Sequence, residues 1–358
     1  MAAVPVSLTL DGPPVAVTTT RPGLQTVFLF ARTPGQQMSY QWQTLASTGV
    51  GVAAYALTDP PTQENGAYFN GSGSTFTGDA MINPGKVASN YEIVCQPKFV
   101  GTSVYTVQLR SAVQASISID GPSLPVNIPI DGQHAWITFN GNQGQNLSLF
   151  TTYPPNQTIS DLGIVLYDSS GNVVEDPSYG LTLNINFDDI TLPSTGQYFI
   201  GLNPKTGRTG VYTLTLSTPI TRDLVVNGSP VVVTVPARPG QNVVLNTQVS
   251  QSQTLALAVN GQSAGEALVD VHVAGLSQQR NLNSGQLATW YLGQAKSTNS
   301  GYIRISPNIN NGAALYGYPK PSAQFGTRWH QQCQCLAQLS SRPTVWIFRP
   351  CHGLGCTS

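Results

Sequence analysis

Short apolar runs alternate with clusters of Gly, Pro, Asn and Asp along almost the whole chain. Val27-Phe-Leu-Phe30, Val52-Ala-Ala-Tyr-Ala-Leu57, Leu162-Gly-Ile-Val-Leu-Tyr167 and Val243-Val-Leu245 are of this kind. Such runs, rich in β-branched and aromatic residues and bounded by turn formers, predict strands. Tyr212, Leu214 and Leu216 alternate with Thr213, Thr215 and Ser217, so that strand has one buried face and one wet face. No window carries a 3.6-residue apolar repeat with capping residues, and helices are not expected.

The pattern recurs. Leu8-Thr-Leu-Asp-Gly-Pro-Pro-Val15, Ile117-Ser-Ile-Asp-Gly-Pro-Ser-Leu124 and Leu224-Val-Val-Asn-Gly-Ser-Pro-Val231 open three units, with Gly12, Gly121 and Gly228 spaced 109 and 107 residues apart. A second landmark follows as Pro22-Gly23, Asp131-Gly132 and Pro239-Gly240, and each precedes an apolar run. Tyr91, Tyr198 and Tyr302 then begin strands that close on Pro97, Pro204 and Pro307. The last strand reads Val104–Leu109 and Val211–Leu216, with a degenerate Ala314-Leu-Tyr316 in the third unit. Units of about 105 residues suit one two-sheet sandwich each. The expected fold class is all-β: three tandem antiparallel β-sandwich domains, jelly-roll or Ig-like, at 1–112, 113–218 and 219–318 (degenerate), followed by an irregular Cys-rich tail at 319–358.

Composition narrows the function classes. Charged residues make up 9% of the chain, and 16 basic and 16 acidic residues cancel. With no basic stripe, nucleic acid is not an expected partner. No apolar run approaches the length of a membrane span, and Met1–Thr20 shows no basic start followed by an apolar segment. One cysteine, Cys95, precedes residue 333, so the main body does not rely on disulfides.

The second unit carries a resemblance. Gly144-Gln-Asn-Leu-Ser-Leu149, Asp161-Leu-Gly-Ile-Val-Leu-Tyr-Asp-Ser-Ser-Gly171, Leu192-Pro-Ser-Thr-Gly-Gln-Tyr-Phe-Ile200 and Gly210-Val-Tyr-Thr-Leu-Thr-Leu216 resemble the bacterial pre-peptidase C-terminal domain. The resemblance extends more faintly over 1–112 and 219–318, where Lys86–Asn90 replaces the Ser-Thr-Gly turn and the third unit lacks the Asp-Gly hairpin. It implies small sandwiches appended to secreted peptidases or repeated in surface proteins. Its motifs specify a frame and not a reaction.

Residues able to do chemistry are sparse. There is no Gly-x-Ser-x-Gly elbow and no phosphate-binding Gly-x-x-x-x-Gly-Lys-Ser/Thr. His134 and His272 lie in different units without counterparts, and structural roles are expected for both. Asp188 and Asp189, with Asp161, offer oxygens that could hold calcium, although the other units do not repeat the pair and solvated turn residues are the plainer reading. No other cofactor is expected. Tyr40 and Trp42 share one face of a strand, either core or a flat exposed patch, and are the candidate ligand-contact surface. In the tail, Cys333, Cys335, Cys351, His352 and Cys356 are compatible with zinc, with two disulfides or with an unstructured end.

The expectation is a non-enzymatic extracellular or cell-surface protein, structural or adhesive, serving as spacer, stalk or matrix component. Its partners would be a surface protein, a polysaccharide or further copies of itself. The alternative is an accessory module holding protein or polysaccharide substrate for a secreted hydrolase.

Overall fold

A computed structural model of the chain describes residues 5–33, 36–46, 50–57, 62–69, 74–82, 90–97, 102–175, 187–235, 238–261, 267–282, 287–307 and 333–340. The regular structure of the described residues is all β apart from a single 3₁₀ turn at Ile159–Asp161. The strands fall into three sets of nine. The first comprises β1 (Val6–Ser7), β2 (Val15–Thr18), β3 (Thr26–Ala31), β4 (Met38–Ala46), β5 (Val50–Ala56), β6 (Thr62–Phe69), β7 (Ser74–Met81), β8 (Asn90–Pro97) and β9 (Ser103–Ser111). The second comprises β10 (Val113–Ser116), β11 (Leu124–Ile128), β12 (Ala135–Gly141), β13 (Asn146–Thr152), β14 (Leu162–Asp168), β15 (Val173–Glu175), β16 (Phe187–Thr191), β17 (Gly196–Pro204) and β18 (Gly210–Ser217). The third comprises β19 (Ile220–Asp223), β20 (Val231–Val235), β21 (Val243–Val249), β22 (Thr254–Gly261), β23 (Ala267–Val273), β24 (Leu276–Leu282), β25 (Leu287–Gln294), β26 (Asn299–Pro307) and β27 (Cys333–Ser340).

Each set builds the same two sheets. In the first repeat the orders are β1-β3-β8-β5-β6 and β2-β9-β4-β7, and adding nine, then eighteen, to every label gives the sheets of the other two. One feature departs from a purely antiparallel expectation: β1, β10 and β19 run parallel to β3, β12 and β21. The Asp-Gly landmark explains it. Asp11, Asp120 and Asn227 hold positive φ, and the next glycine's N–H bonds to the carbonyl three residues earlier. That turn throws the chain across to the opposite sheet, and the second landmark brings it back beside the strand it left, pointing the same way.

By compactness the chain divides into two units: Met1–Pro219 with Arg238–Gln241, and Ile220–Ala237 with Asn242–Ser358. In the first unit, each repeat has its own core between its two sheets. One gathers Phe28, Tyr91, Ile93, Tyr105 and Val107, and the other Ile137, Tyr198, Ile200, Tyr212 and Leu214. The second unit is centred on Leu245, Leu255, Leu257, Val259 and Ile303.

The third repeat departs from the other two in its register around Tyr302 and in where its ninth strand comes from. Gly301, not Tyr302, pairs with Thr247, while Tyr302 pairs with outward-facing Asn246 and stacks on His272 with centroids 5.1 Å apart. Tyr302 precedes Pro307 by five residues where Tyr198 precedes Pro204 by six, and a one-residue change of register turns a side chain to the other face. The expected closing run at 314–316 lies outside the described residues. β27 fills the ninth position, between β20 and β22, so part of the expected irregular tail completes the third repeat.

Candidate functional site: a joint inside the first unit

The side chains proposed from sequence as a ligand surface are not at the surface. Tyr40 and Trp42 are 1% and 2% exposed and belong to the first repeat's core. Alternation along β4 puts them on one face as expected, but that face is the one covered by the opposite sheet, and Ser39, Gln41 and Gln43 take the other. Burial also pushes the Tyr40 hydroxyl pKa upward. Cys95 lies in the same core, and burial pushes its thiol pKa up as well.

The three aspartates proposed for calcium are spread over two sheets. Asp188 and Asp189 lie on β16, at a register shift against β13; their side chains lie outside the described residues. Asp161 precedes β14 in the other sheet, and its carboxylate is already engaged. Oδ2 accepts from the Thr158 N–H at 2.8 Å, and Oδ1 accepts from Arg208 Nε at 3.0 Å. The described residues contain no group of three or more His, Cys, Asp or Glu suited to a metal. Cys351, His352 and Cys356 lie outside the described residues, and Cys333 and Cys335 are on β27.

The bond from the Thr158 N–H, helped by Arg208, holds the Asp161 carboxyl below its usual value of 3.8. A depressed folded-state value means that the stabilisation is complete above the unfolded value and disappears as pH falls through the lower, folded one. Asp161→Ala is therefore expected to cost about 1 kcal/mol at neutral pH, since the Arg208 partner is partly exposed and screened. Urea unfolding at pH 7 and pH 2.5 checks this: the gap between variant and parent should narrow in acid.

Within the first unit, a set of polar and aromatic contacts joins the second repeat to the first. Trp136 projects from β12 on the face away from its own core, yet is 1% exposed. It packs with Met81 and Ala112 from the first repeat and the linker, flanked by Tyr167 and Phe199 at centroid distances of 5.4 and 6.4 Å. Met81 lies so close to Gly201 that a β-carbon there would fall 2.8 Å from its methyl. A side chain at 201 would displace the knob from its hole.

Two carboxylates bracket this apolar centre, one from each repeat. Asp79 on β7 accepts from His134 Nε2 at 3.0 Å and from the Thr206 hydroxyl at 2.7 Å. Asp131 accepts from Gln41 Nε2 at 2.8 Å and from the Gly207 N–H at 2.6 Å. A carboxylate accepts only, so His134 carries its proton on Nε2 in this pair. The His134 side chain is 0% exposed and that of Asp79 6%, which removes both from contact with any substrate. Two backbone bonds and one side-chain bond complete the joint: the Ala112 N–H donates to the Gln37 carbonyl, the Val113 N–H to the His134 carbonyl, and Gln133 Nε2 to the Ser111 carbonyl. Each Asp landmark also fixes the exit of its own repeat, Asp11 accepting from the Ser111 N–H and Asp120 from the Thr218 N–H and hydroxyl.

His134 thus has the structural role expected of it, in a setting the sequence did not disclose. Asp79 and Met81 were not singled out, and Asp131 only as part of a turn landmark. The available signal was position: Trp136 and His134 flank the inward Ala135 on a strand whose outward residues should be polar.

On the second unit, Asp270 meets His272 Nε2 at 3.0 Å two residues along β23 and accepts from Arg304 Nη2 at 2.8 Å on neighbouring β26. These residues form a polar cluster on an outer sheet face.

No family model matches the chain, and no curated protein matches it. Among solved structures it is similar to a crystal structure of tripeptidyl peptidase 2 (TPP II), at 9% identity and a TM-score of 0.24, over 86% of this chain and 27% of that one. The chain thus spans about a quarter of that protein's length. No helix among the described residues is long and apolar enough to cross a membrane.

Proposed function

We propose that this chain is a non-enzymatic structural protein of the cell surface or extracellular space, a stiff spacer or stalk built of sandwich repeats. The observation that carries the reading is the joint around Trp136. A flexible tether between sandwiches needs a polar, solvated linker. Here the linker residue Ala112 is buried, its N–H is bonded, and two bracketing carboxylates and a tryptophan oppose hinge motion. The resemblance to pre-peptidase C-terminal domains fits an exported protein. The low charge and the Thr- and Asn-rich faces suit contact with neighbouring proteins or polysaccharide through hydrogen bonds.

Two measurements test this. Spin labels introduced as unnatural amino acids at exposed Gln96 and Val173 should give one narrow distance distribution; a broad one would remove the stiff-spacer reading. The purified protein, with and without calcium, should show neither turnover of peptide and glycoside substrates nor saturable binding to isolated soluble oligosaccharides. Saturable binding to one class would make the chain a recognition module instead.

A further inference from the structure

The joint supplies a template for finding its counterparts at the two ends of the described repeats. At the leading end, the stacked pairs Phe30–Tyr91 and Phe139–Tyr198 fix equivalent positions in the first two repeats. On that register Val27, Val94 and Ala53 stand where Trp136, Gly201 and Val165 stand in the second repeat. They form an apolar strip on the outer sheet face, with Val27 and Val94 half-buried and Ala53 buried at 6% exposed. The neighbouring turn tells the same story. Gly132 packs against Gln41 and Gly240 against Phe150, whereas Gly23, with the same φ of +72°, has nothing within 4 Å of where a β-carbon would stand.

At the trailing end, Gln36, Gln145 and Gln253 each accept from the backbone N–H three residues earlier and align the three repeats. Ser39 is thereby equivalent to Ala256. Ser39 pairs with Met81, the knob of the joint, and Ala256 pairs with Tyr291. Tyr291 is 66% exposed, matched among exposed large apolar side chains by Val225 alone within the described residues. The second unit therefore presents a bare knob at the position where the first repeat uses one.

We propose that copies of this chain associate head to tail, Tyr291 of one copy packing on the Val27–Val94–Ala53 strip beside Gly23 of the next. The contact is heterologous, so each copy added leaves one head and one tail for the next. With 16 charges of each sign, no net repulsion opposes it. Asp79 and Gln41 have Thr289 and Ala258 as counterparts, so the contact between copies lacks the polar brackets of the internal joint and is weaker and reversible. The inference rests on the spacer reading for its use, but its chemistry is separate. A stiff monomer would overturn the association and leave the spacer intact.

The test is sedimentation velocity of the full chain across a concentration series, with reductant present to exclude disulfide-linked species. Mass should rise with concentration for the parent. Tyr291→Glu, and separately Val94→Glu or Val27→Glu, should weaken association at least about tenfold. Each is used only where its melting temperature matches the parent's. An equimolar mixture of a head-blocked and a tail-blocked variant should stop at dimers, because one intact head meets one intact tail. A parent that stays monomeric, variants that assemble as the parent does, or a mixture without dimers would each overturn the proposal.

Discussion

Replacing Trp136 by alanine is expected to cost about 3–5 kcal/mol, the range for removing a fully buried large aromatic side chain. Its main effect should be to uncouple the first two repeats rather than to unfold either. The indole sits outside the second repeat's core, in a pocket made by Met81, Ala112, Tyr167 and Phe199, so its loss empties the joint while leaving both sandwich interiors filled. Calorimetry of the parent should show the two repeats melting together; in Trp136→Ala that transition should split. Trp42→Ala supplies the contrast, because Trp42 belongs wholly to the first repeat's core. It should lower the melting of the first repeat with a loss of similar size. A single unchanged transition in Trp136→Ala would mean that the joint contributes little coupling.

Much of the frame was readable before any coordinates, because it is written in local chemistry. The Asp-Gly and Pro-Gly landmarks recur since each repeat must cross between sheets and return, and few residues adopt the positive φ those turns require. Strand alternation grouped Tyr40 with Trp42 on β4, and Tyr212, Leu214 and Leu216 on β18, but the opposite face of β18 is not wet: Thr215 and Ser217 are 2% and 1% exposed and bond to Ser123 and Ser148. What alternation cannot say is which face meets the other sheet, and so Tyr40 and Trp42 were readable as either patch or core. Tyr302 shows the matching weakness. A landmark match tolerates one residue of slippage, whereas a strand does not, and the tyrosine emerged on the outer face. The joint was the least legible part. Asp79 lies 55 residues from His134, and 127 from Thr206, so no spacing rule links them. Their meeting is a product of tertiary packing.

Three glycines at one landmark offer a graded measurement of that packing. Gly23, Gly132 and Gly240 hold φ of +72°, +71° and +75°, so the backbone penalty of an alanine is the same at each, about 1 kcal/mol. Only the surroundings differ. An alanine at 23 would face open space, and Gly23→Ala should lose little beyond the backbone term. At 132 the new methyl would stand 2.7 Å from Gln41 Cδ and 2.8 Å from its Cβ, and Gln41 is tied to Asp131 and cannot swing clear without breaking that bond. Overpacking of this kind adds about 1–3 kcal/mol. At 240 the methyl would overlap the stem of the Phe150 ring, a bulkier and less yielding neighbour, and Gly240→Ala should be the most costly of the three. Urea unfolding of the three variants should therefore rank Gly23 least, then Gly132, then Gly240. Equal losses at all three would mean that the landmark glycines are kept for backbone conformation alone and that the joint yields readily. A loss at Gly23 equal to that at Gly132, appearing only at concentrations where the parent self-associates, would instead place a neighbouring copy against the first repeat's open turn.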